Sequence, residues 1–349
     1  MLIYWIVLAA LLFTSPVLGD ANIEISEEGP LINSRQELEV FVGPKGKVIK
    51  SPNYPRREQQ QGREGWVQLG MMISPEGKAY EVVVTDSTGN KAFEKAALNA
   101  VKKWVFQPAL MDGVPIDAGS NFKIKFALSG AAGASSKFVR AIGRFKKHIA
   151  NDDKEAADKE LSSIRVKNLY EDAFLNIARY SYYEKWGSDY QRLYALRRGI
   201  AHEDDAHYLP KKLYVTALLS MFFLEVKQKD FARALKTWKL LEGRKLDDNT
   251  VSSLQNVVNK ITVLESDDRT YSVAGEIGES FSWNYRLLKN NFNITVEHGE
   301  LAEIKLRCDK KYVFFRYKPK TIYRISEKYG HCGIEVVGNP GSKFSLIQS

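Results

Sequence analysis

The sequence predicts an exported α+β protein of several domains, and three observations support this. Residues 66–128 combine alternating apolar positions with one amphipathic helical segment, the pattern of a small sheet backed by a helix. Residues 137–266 change to helical periodicity, and residues 270–349 return to short alternating segments. A chain of 349 residues is long enough for two or three domains, each with its own core.

The first 19 residues have the form of a signal peptide. An apolar run over residues 2–13 is followed by the chain breaker TSP and then by small residues. We expect cleavage after Gly19 or after Ala21. An uncleaved anchor or a buried N-terminal element are the alternatives, because no Lys or Arg precedes the apolar run. Residues 20–50 follow as an extended lead-in, with a candidate strand at 38–42.

The next unit has the order β-β-α-β. Alternation over 67–73, a turn at SPEG (74–77) and renewed alternation from residue 80 predict a hairpin. Apolar positions spaced by three and four residues then predict a helix that begins near Phe93 and ends in the segment WVFQP. After the turn at Asp112 and Gly113, residues 122–128 alternate again. Before the hairpin, two prolines break regular structure, and residues 56–65 are predicted to form a loop or a frayed turn.

Small residues at 129–136 (SGAAGASS) form a linker, and residues 137–266 follow as a helical-repeat domain. The pattern predicts helix pairs at 138–150 with 154–165, 169–186 with 189–200, and 208–227 with 231–241, then a last helix at 250–264. Pairs starting near residues 138, 169 and 207 resemble a degenerate tetratricopeptide array. The alternative is a plain irregular helical domain.

Residues 270–349 predict a small antiparallel β domain, a sandwich or a barrel. Cys308 and Cys332 are the two cysteines of the chain. In an exported protein we expect them to form a disulfide that closes a loop of about 25 residues; two buried free thiols are the alternative. Residues 305–324 interleave basic and aromatic side chains, which indicates solvated strand faces or, alternatively, a surface for an anionic envelope polymer or lipid headgroup.

The formal net charge is +9, without a Lys/Arg run long enough to form a nucleic-acid-binding tail. We therefore expect no nucleic-acid partner. The sequence AHEDDAH (201–207) places its histidines five apart, which favours a polar turn between helices over a metal site. The sequence shows no nucleophile elbow, phosphate-binding loop or paired carboxylates. It therefore predicts a protein that is not an enzyme and binds no cofactor or metal.

Residues 51–128 resemble the C-terminal domain of the TonB family of periplasmic energy transducers. Five motifs carry the resemblance in order and spacing: NYP (53–55), EGWV (64–67), PEGK (75–78), AALNAVKKWVFQPA (96–109) and DGVP (112–115). The closing strand at 122–128 completes the pattern. The resemblance implies that the unit captures a short N-terminal peptide of an outer-membrane receptor as an added strand.

By the same resemblance, the peptide would lie beside the last strand and near the Tyr-Pro motif. The candidate partner-binding residues are Tyr54, Pro55, Phe122, Lys123, Ile124, Lys125 and Phe126. The two lysines point away from the predicted core, so they either protect the sheet edge or contact an acidic peptide. The Tyr-Pro pair is alternatively a rigid entry turn.

The expected function is that of a periplasmic TonB-family protein that binds partners by strand addition in energy-dependent transport across the outer membrane. Receptor peptides, other envelope proteins and inner-membrane motor proteins are the expected partners; the sequence indicates no oligomeric state. The chain also departs from the family: it has no long proline-rich spacer, no His in its N-terminal apolar run, and a large region after residue 128. The alternative is therefore a soluble periplasmic adaptor or assembly scaffold that uses its helical repeats.

Overall fold

The computed structural model describes residues 41–111, 113–128, 133–203 and 207–349. The predicted signal peptide and most of the predicted lead-in lie outside these residues. Within the described ranges, no helix is both long and apolar enough to cross a membrane.

The first region contains a three-stranded antiparallel sheet and a helix, as predicted. Its elements are strands β1 (Phe41–Val42) and β2 (Lys45–Val48), helix α1 (Arg56–Gln60), strands β3 (Gly65–Ile73) and β4 (Ala79–Ser87), helix α2 (Lys91–Val101), and strands β5 (Val105–Gln107), β6 (Ala109–Met111), β7 (Val114–Ile116) and β8 (Ala118–Phe126). The sheet has the order β4-β3-β8, with Val67 opposite Ile124. Helix α2 packs its apolar face on one side of this sheet through Phe93, Ala97 and Val101.

Two local predictions in this region were wrong. Residues 56–60 form α1 instead of a loop, because Pro55 sits at the N-cap and Glu58 turns inward to bond Arg63 and Asn90. Helix α2 ends at Val101 and does not continue through residues 104–107. Residues 105–107 form β5, which pairs with β2 from the lead-in.

The helical predictions for the second region are confirmed to within a few residues. The helices are α3 (Ser136–Ala150), α4 (Lys154–Ser163), α5 (Leu169–Trp186), α6 (Asp189–Gly199), α7 (Lys211–Lys227), α8 (Phe231–Leu241) and α9 (Asp248–Ser266). Polar caps begin several of them: Asn168 caps α5, and Ser188 forms a capping box with Gln191 at α6. Helix α5 packs against α6, and α7 packs against α8.

The last region consists of two four-stranded antiparallel sheets. Its strands are β9 (Tyr271–Glu276), β10 (Ser282–Arg286), β11 (Asn291–His298), β12 (Leu301–Cys308), β13 (Tyr312–Arg316), β14 (Tyr323–Arg324), β15 (Cys332–Gly338) and β16 (Lys343–Gln348). The sheet orders are β10-β15-β12-β13 and β14-β11-β16-β9. Inward-facing residues of both sheets, such as Ile304 and Phe344, share one apolar cluster, the arrangement of a sandwich.

The predicted disulfide is present. Cys308 and Cys332 face each other at the ends of β12 and β15 and are bonded. The apolar cluster of the sandwich continues into the helical region through residues such as Leu218 and Phe231. The helical and β regions are therefore joined by a common core.

Candidate functional site

Strand β8, the predicted peptide-binding strand, lies at an edge of its sheet: β3 is its partner on one side, and no described strand pairs with the other. Its apolar side chains face inward. Ile124 and Phe126 are buried against α2, and the half-buried Phe122 contacts the ring of Trp104 at 5.1 Å between centroids. These three side chains therefore hold the strand against the core. The outer edge of β8 consists of its main-chain N–H and C=O groups.

The Tyr-Pro motif lies beside the same core. The Tyr54 ring meets Phe93 and Phe126 edge-on, with centroid distances of 5.6 and 5.7 Å. Its hydroxyl donates to the Arg63 carbonyl at 2.5 Å. Burial, and then the nearby Glu64 carboxylate, raise the pKa of Tyr54 to about 12, so the hydroxyl keeps its proton at neutral pH.

Lys123 lies on the side of the sheet away from the α2 core and contacts the helical region. Its ammonium lies 6.0 Å from the centre of the Trp66 ring and donates to the carbonyl of Ala201. Both Lys123 and Lys125 lie on the sheet face opposite α2, because they pair with Gln68 and Trp66 of β3. This second face is covered in part by the helical region, so Lys123 joins two regions of the molecule.

A buried charged cluster fills the contact between the second face and the helices. The Trp66 indole donates to Oδ2 of Asp172 at 3.5 Å, and Arg198 Nη2 lies 3.5 Å from Oδ1 of the same carboxylate. The Arg198 guanidinium also lies 5.8 Å from the centre of the Trp66 ring. Burial raises the pKa of Asp172, while the Arg198 charge opposes that rise.

Residues 201–203 of the histidine motif form a turn after α6. His202 is 1% exposed, with its ring 5.8 Å from that of Trp66 and 5.9 Å from that of Tyr208. His202 is therefore part of the packed contact around Trp66. Across the described ranges, no group of three His, Cys, Asp or Glu side chains could hold a metal ion.

The C-terminal sandwich covers another part of the first region. Arg307 forms an ion pair with Glu81 at 3.6 Å, and the ring of Tyr312 lies 6.5 Å from that of Tyr80. A Cβ atom on Gly119 would lie 3.0 Å from the carbonyl oxygen of Cys308, so β8 passes close to the end of β12. The first half of β8 is thus held near the disulfide.

Sequence reasoning did not find the cluster around Trp66. One signal was available: Trp66 is apolar but out of phase with the alternation of Val67 and Leu69, which indicates a second covered face. Nothing in the sequence marks Asp172 or Arg198 as its partners, because both occupy ordinary positions on amphipathic helices.

The first region of the chain is similar to a domain of known proteins. Residues 50–128 match the family described as Gram-negative bacterial TonB protein C-terminal. The Protein TonB of Vibrio cholerae is 34% identical over 79 residues, which cover 23% of this chain and 32% of that protein. The Protein tonB2 of Pseudomonas aeruginosa is also 34% identical over 79 residues, covering 23% of this chain and 29% of that protein.

Among solved structures, the solution structure of the Pseudomonas aeruginosa TonB C-terminal domain is 25% identical and covers 26% of this chain and 91% of that one. The TM-score of this match is 0.24. Residues 50–128 are thus similar to the C-terminal domain of TonB proteins. The chain spans about a third of the length of the curated relatives it matches.

Proposed function

We propose that this protein acts in the periplasm in energy-dependent transport across the outer membrane, as a TonB-family protein that binds partners rather than as an enzyme. Homology over residues 50–128 is the observation that carries the proposal. The partners would be an outer-membrane receptor peptide or another envelope protein, with inner-membrane motor proteins supplying the energy.

The proposed binding mode is addition of an extended peptide to the outer edge of β8. An edge strand has main-chain N–H and C=O groups that another chain can pair with. Ile124 and Phe126 fix the strand from inside, so the edge would be preformed when the peptide arrives. Asn121 is exposed on β8 and would lie beside the incoming strand.

A second candidate function is a soluble adaptor or assembly scaffold, and the covered second face of the sheet favours it. Trp66 and Lys123 bond to the helical region, so the TonB-like sheet also has an architectural role. In this alternative the helices bind the main partner, and no force is transmitted.

Site-specific photo-crosslinking from the sheet edges tests the binding mode. Asn121 on β8 and Thr85 on β4 are both exposed, and both flank Gly70 of the central strand. Each is replaced in turn by a photoreactive amino acid in cells, and crosslinked partners are mapped by mass spectrometry. We expect crosslinks to the N-terminal segment of an outer-membrane receptor from position 121 and few from position 85.

Equal crosslinking from both edges, or none to such a segment from position 121, would contradict strand addition to β8. This design is preferable to proline replacement at Ile124, because that side chain is buried and its loss would also disturb the core.

Sequencing the N-terminus of the protein recovered from cell fractions separates the two functions. An uncleaved N-terminus in the inner-membrane fraction is expected for a transducer. A mature start at Asp20 or Asn22 in the soluble fraction would rule out direct transduction and leave the adaptor function.

A further inference from the structure

A cleft of about 550 Å³ lies where the helices meet the open side of the C-terminal sandwich. Its described walls come from α6, from the turn between α7 and α8, from the start of α8, and from strands β9, β10 and β16. The cleft is therefore a different place from the β8 edge of the TonB-like domain. Its volume is in the range of pockets that hold small ligands or a few residues of a peptide.

Two sheet edges face this cleft. Strand β9 ends one sheet and β10 ends the other, so each has one side without a described partner strand. The Ser272 carbonyl accepts from Lys229 Nζ at 3.1 Å, which shows that its main chain faces the cleft. Because alternate residues of an antiparallel strand face the same way, the main-chain groups of Ala274 face it too.

Strand β10 has the same property. The amide of Gly338 bonds the Phe281 carbonyl at 3.1 Å, and the amide of Leu287 bonds the Cys332 carbonyl at 3.0 Å. The odd-numbered residues of β10 therefore pair with β15, and the main chain of Asn284, which lines the cleft, faces away from β15. An extended chain in the cleft would meet main-chain groups on both strands that no described strand pairs with.

The charge that a ligand would meet is positive. The side chains of Arg197, Arg233 and Lys227 are 31%, 38% and 67% exposed. Their acidic partners are less exposed: Glu225 at 2% and Asp230 at 7% bind the two arginines, and Asp189 at 27% binds Lys227. The cations therefore line the opening while the carboxylates that bind them stay beneath.

Two further features of the cleft favour the binding of a peptide. The rings of Trp283 and Tyr285 stack at 5.5 Å and form an aromatic wall. Oδ1 of Asp230 is buried and has no hydrogen-bond partner among the described residues, although Oδ2 accepts from Arg197 and Arg233. A buried acceptor without a donor is costly, and a donor on a ligand would satisfy it.

We propose that this cleft binds an extended acidic segment of a partner protein. The main chain of the segment pairs with β9 at Ser272 and Ala274, and Lys229 moves from the Ser272 carbonyl to a carboxylate of the ligand. Lys227 and Arg233 meet further carboxylates, and the aromatic wall contacts the apolar side chains between them. The protein then has two peptide sites, one on each β region.

The probe is a fluorescein-labelled hexapeptide of alternating Glu and Val with blocked ends, titrated with the full mature chain and followed by fluorescence anisotropy. Two matched probes separate charge from strand pairing: one has Gln in place of Glu, and one is N-methylated at alternate residues. We expect the Gln probe to bind about tenfold more weakly and the N-methylated probe to lose binding. Binding of the acidic probe should weaken as salt is added.

The protein variant is Lys227→Glu/Lys229→Glu, and its control is Lys236→Glu, an exposed lysine of α8 that does not line the cleft. We expect the first to raise the Kd about tenfold or more and the control to leave it within about twofold. Equal affinity of the acidic and Gln probes, unchanged binding by the cleft variant, or tighter binding of an acidic oligosaccharide than of any peptide would overturn the proposal. Where the double variant fails to fold, Lys227→Glu replaces it, because it changes one exposed lysine just as the Lys236→Glu control does. The β8 edge is the same in both proteins, so equal affinity of the two for the acidic probe would place binding outside the cleft and overturn the proposal.

Discussion

The two faces of the TonB-like sheet are built from different chemistry. The face toward α2 is apolar: Val67, Leu69 and Phe93 are fully buried there, without a charged side chain among the residues of that cluster. The opposite face contacts the helical region through Trp66, Lys123 and the buried Asp172–Arg198 pair. The apolar face thus forms the core of the domain, and the opposite face binds the domain to the helical region.

The difference has a physical basis. Apolar burial is non-directional, so a strand pattern and a helix stripe from neighbouring segments suffice to form the first face. The second face depends on hydrogen bonds and an ion pair that tolerate little displacement, since a buried charge without its partner is costly. Such a contact fixes one orientation of the sheet against the helices.

The largest effect is expected from Phe93→Ala, on the apolar face. The Phe93 ring stacks on Phe126 at 4.5 Å and is fully buried, so its removal leaves a cavity in the small core. We expect a loss of about 3–5 kcal/mol in the free energy of unfolding, measured by urea denaturation. A loss below about 1 kcal/mol would show that this face does not hold the domain together.

Arg198→Met tests the second face and should cost about 3 kcal/mol, because it leaves the Asp172 carboxylate buried without its cation. The matched double variant, Asp172→Leu/Arg198→Met, removes both charges and should recover most of that loss. Both are measured by urea denaturation. If the double variant is less stable than Arg198→Met, the ion pair stabilises the protein by more than the cost of burying its two charges allows.

The first face could be predicted from the sequence. Alternation along 67–73 and the helical spacing from Phe93 named its core residues and placed α2 on the sheet, and the two cysteines predicted the disulfide. Helices α3, α8 and α9 could be predicted from periodicity because each buries one stripe, whereas α5 and α7 are buried on more than one side. The predicted end of α2 was wrong, because residues 105–107 pair as β5 with β2 and do not continue the helix.

The second face could not be predicted, because its contacts join residues far apart in the chain. Trp66 and Asp172 are separated by 106 positions, and a single sequence shows which residues are apolar but not which distant surface covers them. For the same reason the contact between Lys123 and the carbonyl of Ala201 was not predicted. The cleft beside β9 escaped notice because its basic side chains belong to three different helices or turns.

The charged cluster should make stability depend on pH through Asp172. Its folded pKa is raised above the ordinary value of 3.8, so the folded protein takes up this proton first as the pH falls. We expect the free energy of unfolding of the wild type to rise relative to Asp172→Asn as the pH is lowered from about 7 towards 4. Urea denaturation of both proteins across this range measures the difference. A difference that stays constant, or moves the other way, would contradict a raised pKa at Asp172.

The smallest effect is expected from two matched tryptophan substitutions, one on each face of the sheet. Trp66 donates its indole N–H to a buried carboxylate on the second face, and Trp104 donates to the Lys50 carbonyl at 2.7 Å on the first. Replacing either by Phe removes one hydrogen bond and should cost about 1 kcal/mol. The faces are told apart by hydrogen exchange: Trp66→Phe should raise exchange in α5 and α6, whereas Trp104→Phe should raise it in β2 and β5. If both variants loosen the same elements, the two faces do not act as separate contacts, and the division drawn between them fails.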